Sequence, residues 1–393
     1  MSTNEKPIRR SPWPGSVTHP LGNPIQPSVV YTAQTPSALD DLYEGRVAGY
    51  SYAREGHPNA SVLAQKIDQM EGISGGIITS SGMGAVGACL LGLLKAGDHV
   101  VAGDQLYGRS YRMLKTDLKK FGVETTFADP TNAKDIRAAL TPSTRMILVE
   151  VISNPTIRVA DMEGIAKIAQ DTGALLVVDN TFTTPRAYRP FEHGADVVIH
   201  SVTKLLAGHS DVTLGYVGAK DDSHRQAIND AAVTFGFTGS PFDCWLAERG
   251  LYSFELRYER AQQNAVALAD AIAELPEVKR VLYPTRRDHP DHNRAARVLP
   301  DGGANMVSFE IHGGRKAADA LCAAADNIAF APTLGDVSTI LSHPLSSSHR
   351  ALTKEEQGHL GLSEGFFRVS VGVEPIDVLI EEFTAAIKAS HSN

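Results

Sequence analysis

Four polar clusters in this chain stand directly after short apolar segments, and their residue types are those of acid–base and phosphate chemistry. Thr79-Ser80-Ser81-Gly82-Met83-Gly84 follows Ile78, while Glu150 and then Ser153-Asn154-Pro155 follow Leu148. Asp179-Asn180-Thr181 follows Val178, and His200-Ser201-Val202-Thr203-Lys204 follows Ile199. Glycine lets the backbone approach an anion and a helix N-terminus stabilises its charge, so the first cluster reads as a phosphate cradle. A lysine amine can form a Schiff base with an aldehyde, and an acid can hold a pyridine nitrogen protonated so that the ring accepts electrons. Lys204, Asp179 and the cradle are together the parts of a pyridoxal phosphate site, with Ser201 and Thr203 adding hydroxyls for the phosphate.

The first cluster also supports a rival. Gly82-Met83-Gly84-Ala85-Val86-Gly87 matches G-x-G-x-x-G, and Asp104 follows the next strand about 20 residues later, as a dinucleotide (NAD) fingerprint of a dehydrogenase requires. Ser80 and Ser81 favour a phosphate monoester instead, and nothing downstream resembles a nicotinamide pocket. Asp288-His289-Pro290-Asp291-His292 falls in a loop with no further ligand at metal spacing, so it reads as structural and no metal is expected.

The elements that position these clusters follow from periodicity. Residues 1–58 are rich in Pro, Gly and Ser and read as an extended arm. From Asn59 helices and strands alternate: a helix through Met70, a strand at 76–79, a helix at 84–95, a strand at 99–102 and a strand at 146–151. A helix opened by Asp161 and closed by Gly173 comes next, then strands at 175–178 and 197–199. Such alternation builds a mostly parallel sheet with helices on both faces, and ligands then sit beyond the carboxyl ends of its strands. The rhythm breaks near residues 244–250. Beyond it come a long helix at 254–275, strands at 306–311 and 366–373, and a last helix begun by Pro375, with Ile376, Leu379, Ile380, Phe383 and Ile387 on one stripe. The expected organisation is an arm at 1–58, an α/β cofactor domain at 59–248 and a small α+β domain at 249–393.

Composition agrees with that size. The chain has 393 residues, 42.1 kDa, 42% hydrophobic and 21% charged residues, and a mean hydropathy of -0.13, the balance of a soluble globular protein. No run approaches the roughly 20 apolar residues of a membrane span. A net charge of -8, from 37 basic and 45 acidic residues, removes the footprint that nucleic acid binding demands. Cys89, Cys244 and Cys322 are odd in number and far apart, against a disulfide scaffold. With no apolar stretch in MSTNEKPIRRSPWPGS to act as a secretory signal, a cytoplasmic location is expected.

The segment Val177-Val178-Asp179-Asn180-Thr181-Phe182, with His200-Ser201-Val202-Thr203-Lys204 and Gly208-His209-Ser210-Asp211, resembles the signature of the pyridoxal-phosphate enzymes of Cys/Met metabolism. That family includes cystathionine γ-synthase, cystathionine γ- and β-lyase, methionine γ-lyase and the homoserine-ester sulfhydrylases. The resemblance implies a fold-type I, aminotransferase-like subunit with a large α/β/α domain and a small C-terminal α+β domain. It implies that Lys204 carries the Schiff base and moves protons, that Asp179 pairs with the pyridine nitrogen, and that Asn154 lies near the ring hydroxyl. Gly82, Met83, Ser201 and Thr203 would bind the phosphate, Tyr107 would stack on the ring and assist proton transfer, and Arg368 would grip the substrate α-carboxylate. That last role also suits a planar guanidinium.

By the same resemblance, Tyr52 and Arg54 reach the phosphate of a neighbouring subunit, so a homodimer at least, and by family habit a tetramer, is implied. The implied reaction is γ-elimination from an amino acid of the homoserine, cystathionine or methionine type, giving 2-oxobutanoate and ammonia, with γ-replacement as the alternative. Three residues depart from the pattern. Glu55 stands where the synthases hold a basic residue, Arg109 replaces a small one beside Arg112, and Ser338, next to Thr339, stands where cystathionine-handling members hold a glutamate. Glu55, Arg109, Arg112, Ser338 and Thr339 are therefore expected at the substrate's distal end, where Glu55 would favour a cation such as canavanine and the arginines an anion.

Overall fold

The computed structural model describes residues 17–18, 20–350 and 352–391, so residues 1–16 and 19 of the expected arm lie outside the described residues. Two sheets carry the chain. The first contains β1 (Ile77–Thr79), β2 (His99–Gly103), β3 (Glu124–Ala128), β4 (Thr144–Glu150), β5 (Leu175–Asp179), β6 (Val197–Ser201) and β7 (Gly215–Ala219). Their order is β1-β7-β6-β5-β4-β2-β3, and β7 alone runs against its neighbours. Alternate residues of each strand enter separate cores. Val177, Val197 and Ile199 face a cluster containing Ala85, Val86 and Cys89 of helix Gly82–Leu93. Val178 and Val198 face the other side, with Leu63 and Ile67 of helix Pro58–Glu71 and Ile165 of helix Met162–Thr172.

The second sheet contains β8 (Val278–Leu282), β9 (Met306–Ile311), β10 (Ala329–Phe330), β11 (Ile340–Ser342) and β12 (Phe366–Ser370), in the order β10-β11-β12-β9-β8. Helices Gly314–Ala324 and Ile376–Ala389 pack on it through Leu321, Leu379, Phe383 and Ile387. Helix Phe254–Ala273 joins the two bodies: Phe254 and Tyr258 of its first turns lie in a core of the first sheet, and Leu268 and Ile272 of its last turns lie in the core of the second.

Several boundaries differ from the sequence expectation. The segment where the rhythm was expected to break is a helix, Pro241–Leu251, begun by Ser240 accepting the Asp243 N–H and by Pro241 in the first turn. The boundary at 248/249 falls inside it. Within the arm, Thr35 and Pro36 start a short helix, Pro36–Tyr43, none of whose residues is buried. Strand β3 escapes periodicity because it is a polar edge strand, and β7 because Gly215 and Gly218 dilute its apolar pattern. Among the described residues no helix is long and apolar enough to cross a membrane.

Candidate active site

The carboxyl ends of β1, β4, β5 and β6, together with the segment after β2, open on a cavity of about 210 Å³. Asp179 ends β5 beside Val177 and Ser201 ends β6 beside Ile199, so both side chains leave the sheet on the side of helix Gly82–Leu93. That helix begins at the cavity, capped by Ser81, whose Oγ accepts the Gly84 N–H at 2.9 Å. The glycine at its start has a packing reason: a Cβ on Gly82 would lie 2.7 Å from the Ser201 Cβ. Ser81, Gly82 and Met83 at the helix start thus line the cavity beside Ser201, an arrangement suited to an anion.

Lys204 reaches the cavity from the turn after β6, and its Nζ donates to Thr333 Oγ1 at 2.9 Å. Burial, reinforced by Arg368, brings the amine down to about 8. The turn that carries it is braced from behind by Arg257, whose guanidinium donates to the carbonyls of Leu205 at 2.9 Å and Leu206 at 3.1 Å. Asp179 accepts from Thr181 Oγ1 at 2.6 Å and from the Thr181 N–H at 3.1 Å. Burial raises its pKa and the Thr181 contacts oppose the rise. An acid held this way gains from a cationic partner placed in the cavity.

Arg368, central in β12 and 4% exposed, donates to Asn154 Oδ1 at 2.9 Å and to the Thr333 carbonyl at 3.0 Å. Its Nε is buried without a partner, and burial pulls the guanidinium down to about 10. Leaving a buried donor unpaired is costly, and a carboxylate in the cavity would relieve it. Tyr107 lines the same cavity, 40% exposed, and its N–H donates to Glu150 Oε1 at 2.7 Å. Burial and the neighbouring Asp179 push the Glu150 carboxyl well above the usual carboxylate range.

Of the residues expected at the site, Gly82, Met83, Tyr107, Asn154, Asp179, Ser201, Thr203, Lys204 and Arg368 line this one cavity. Thr203 does so with its hydroxyl committed, donating to the Leu214 carbonyl at 3.1 Å and accepting the Leu214 N–H at 3.0 Å, which leaves its proton unavailable to a phosphate in this arrangement. The rest lie elsewhere in the chain. Arg54 and Glu55 line a separate cavity of about 150 Å³, where Arg54 donates to the Val233 carbonyl and stacks over Tyr52 at 5.5 Å. Arg109 and Arg112 are exposed and outside the cavity lining.

The late motif also needs correction. Ser338 is exposed and turns back on Asp336, while Thr339 is buried and holds Glu374. Pro332, Thr333 and Leu334, a few residues earlier, line the cavity instead. The chain reverses at Gly335, which has a φ of +85° and packs directly on the Lys204 backbone, so a register read from sequence spacing alone points too far along. Glu150, Thr181, Phe182, Pro332, Thr333 and Ser348 were among the lining residues without an assigned role. Only Glu150 and Thr181 carried a signal, as polar residues at strand ends.

The sequence profile of Cys/Met metabolism PLP-dependent enzymes matches residues 10–388. The chain belongs to this family. Relatives at similar identity differ in reaction. The chain is 37% identical over 368 residues to L-methionine gamma-lyase of Pseudomonas putida, covering 93% of this chain and 92% of that one. It is 39% identical over 342 residues to a cystathionine beta-lyase of Bacillus subtilis, covering 86% of each. Cystathionine gamma synthase from Xanthomonas oryzae pv. oryzae, solved in complex with cystathionine, superposes with a TM-score of 0.89 at 35% identity and 94% coverage of both chains.

Membership of the Cys/Met metabolism family makes the chain a fold-type I, PLP-dependent enzyme of sulfur amino-acid chemistry and retires the dinucleotide reading of residues 82–87. The cavity fits the family's cofactor on its own chemistry: a glycine-lined helix start for a phosphate, an amine of lowered proton affinity for an aldehyde, and a buried acid for a ring nitrogen. Asp104, which the dinucleotide fingerprint had used, instead accepts from His359 at 3.2 Å.

Proposed function

We propose that the protein is a γ-lyase for a neutral γ-substituted L-amino acid of the homoserine, cystathionine or methionine type. The balanced reaction adds one water and releases the γ-substituent with a proton, 2-oxobutanoate and ammonia. When bound, pyridoxal phosphate supplies a ring that accepts the electrons of the broken Cα–H bond. Lys204 holds the cofactor and shuttles protons, for which an amine near 8 is matched to neutral pH. Asp179 would hold the ring nitrogen and Asn154 the ring hydroxyl. The N–H groups of Gly82 and Met83, with Ser201, bind the phosphate. Tyr107 covers the ring, and Arg368 takes the α-carboxylate with its spare Nε.

One observation carries the substrate class. Apart from Lys204, Asp179, Glu150 and Arg368, the side chains lining the cavity are uncharged, and Val86, Phe182, Pro332 and Leu334 give it apolar wall. A thioether fits such a wall better than a charged group does. Two structures of cystathionine γ-synthase from Xanthomonas oryzae, each with a TM-score of 0.89, favour γ-replacement as a second reading. We further propose a cytoplasmic homo-oligomer, a dimer of shared sites assembled as a tetramer, in keeping with three unpaired cysteines. The test is incubation with γ-substituted amino acids, with and without an added thiol, followed by mass detection. Dominant 2-oxobutanoate supports the lyase, a thioether formed with the added thiol selects replacement, and pyruvate from cystathionine as the sole keto acid rejects γ-chemistry.

A further inference from the structure

The cavity lies on one face of the first sheet, and on the opposite face, directly behind it, lies a second polar cluster. Residues 179 and 201 point to the cavity, so their chain neighbours Asn180 and His200 point away from it. There they meet Glu71, the last residue of helix Pro58–Glu71. Glu71 Oε1 lies 2.5 Å from His200 Nε2 and accepts from Asn180 Nδ2 at 3.1 Å. Asn180 is itself fixed, donating to the Tyr188 carbonyl at 2.8 Å, and its backbone N–H donates to the Ile199 carbonyl at 2.9 Å. Glu71, Asn180 and His200 are each 0% exposed. None of the three can touch a substrate.

A buried carboxylate is costly unless a cation and hydrogen bonds compensate it. Glu71 keeps one oxygen, Oε2, without any partner, and among the described residues the only ionisable donor in contact with its carboxylate is His200. The Tyr216 ring lies beside the imidazole at 5.9 Å, within reach of a cation–π contact, and the Tyr216 hydroxyl donates to Asp68 at 2.7 Å. Asp68, Glu71 and Asp179 are thus the acids around His200, and among the described residues no lysine or arginine hydrogen-bonds or ion-pairs with it.

We propose that Glu71 and His200 form a charged pair behind the sheet that keeps Asp179 ionised and thereby strengthens its hold on the cofactor's ring nitrogen. His200 and Glu71 are positioning residues, acting through Asp179. The inference rests on the assignment of Asp179 to that nitrogen. His200 lowers the proton affinity of Asp179, against the burial that raises it, which is the direction the pairing requires.

The test compares pyridoxal phosphate with its deaza analogue, in which a C–H replaces the ring nitrogen, as ligands of the apoenzyme, with affinity read by fluorescence titration. Wild type should bind pyridoxal phosphate more tightly than the analogue. Glu71→Gln removes the carboxylate paired with the imidazole, and His200→Gln removes the imidazole while keeping a hydrogen bond. Each should weaken pyridoxal phosphate by about tenfold, as Asp179 takes up a proton more readily, and leave the analogue within about twofold. Two variants guard against one that fails to fold.

Equal losses for both ligands would assign the cluster a purely structural role and overturn the proposal. Tighter binding of pyridoxal phosphate by Glu71→Gln would mean a neutral imidazole beside a lone carboxylate, and would also overturn it. A wild type that does not distinguish the two ligands would remove the Asp179 assignment itself, a failure separable from that of the pair.

Discussion

The floor of the cavity and the arm are opposites in how completely one chain builds them. Lys204, Asp179, Ser201 and Gly82 come from the ends of strands of one sheet and converge on about 210 Å³ of space, each held by a contact within the chain. Of Tyr52 and Arg54, which the family resemblance implies for the same phosphate, Arg54 lines another cavity and spends its guanidinium on a backbone carbonyl, and Tyr52 beside it is 38% exposed. The floor needs only its own sheet. The arm, if it serves a phosphate, must serve that of another subunit.

The largest effect should come from the floor. Lys204→Ala should lower turnover by about 10⁴-fold or more, since it removes the covalent anchor and the shuttle together. The purified variant should lose its yellow colour, and borohydride reduction followed by peptide mapping, which should place a pyridoxyl group on Lys204 in wild type, should place none in the variant. A labelled peptide elsewhere would move the anchor.

Mixing chains sharpens the contrast. Arg54→Ala alone should weaken the cofactor about 10- to 100-fold, the worth of a charge-assisted hydrogen bond. Random pairing of Lys204→Ala with Arg54→Ala chains should restore about one quarter of the sites, because one site of each mixed dimer then holds both intact residues. No recovered turnover after verified exchange would return the arm to its own chain.

A third expectation concerns pH. Only the neutral amine attacks an aldehyde, and burial with Arg368 places Lys204 at about 8 instead of its ordinary 10.5. The rate at which apoenzyme captures pyridoxal phosphate should therefore rise with pH and level off above about 8. Arg368→Gln removes a like charge and should move that midpoint upward. Stopped-flow absorbance across pH 6–10 would check both directions, and a midpoint unmoved by the substitution would detach Arg368 from the amine.

Glu55 should give the smallest effect. In its own chain it accepts from Ser51 at 2.9 Å and is exposed, so its charge contributes little there. If the arm enters a partner's cavity, Glu55→Gln should change the ratio of kcat/KM for a cationic substrate such as canavanine over a neutral thioether by about two- to fivefold. An unchanged ratio would leave the neutral wall as the sole determinant of the side chain.

What the sequence revealed divides along the same line. The cavity floor was legible because each residue follows a continuous apolar run, and a buried parallel strand must end at the rim where ligands bind. The final helix was legible from its stripe, whose Leu379, Phe383 and Ile387 are buried. Residues 332–334 were not, because their approach to Lys204 depends on the left-handed turn at Gly335 and on packing between the two sheets, neither of which has a periodic signature. Glu71 escaped for a similar reason: a charged residue ending a helix reads as solvated, and only the tertiary contact with His200 explains its complete burial. Arg109 and Arg112 show the converse, since charge beside the stacking tyrosine suggested a pocket while a short helix turns both outward.

Helix Phe254–Ala273 acts as a beam shared by two buildings. Its first turns are set in the masonry of one sheet and its last in that of the other, and Arg257 on its first turns also grips the Leu205 and Leu206 carbonyls next to Lys204. Neither body can melt or rotate far without straining the other, so heat should take the catalytic turn and the small sheet apart in one calorimetric transition. A chain cut before this beam would lose the turn's support as well as the second sheet.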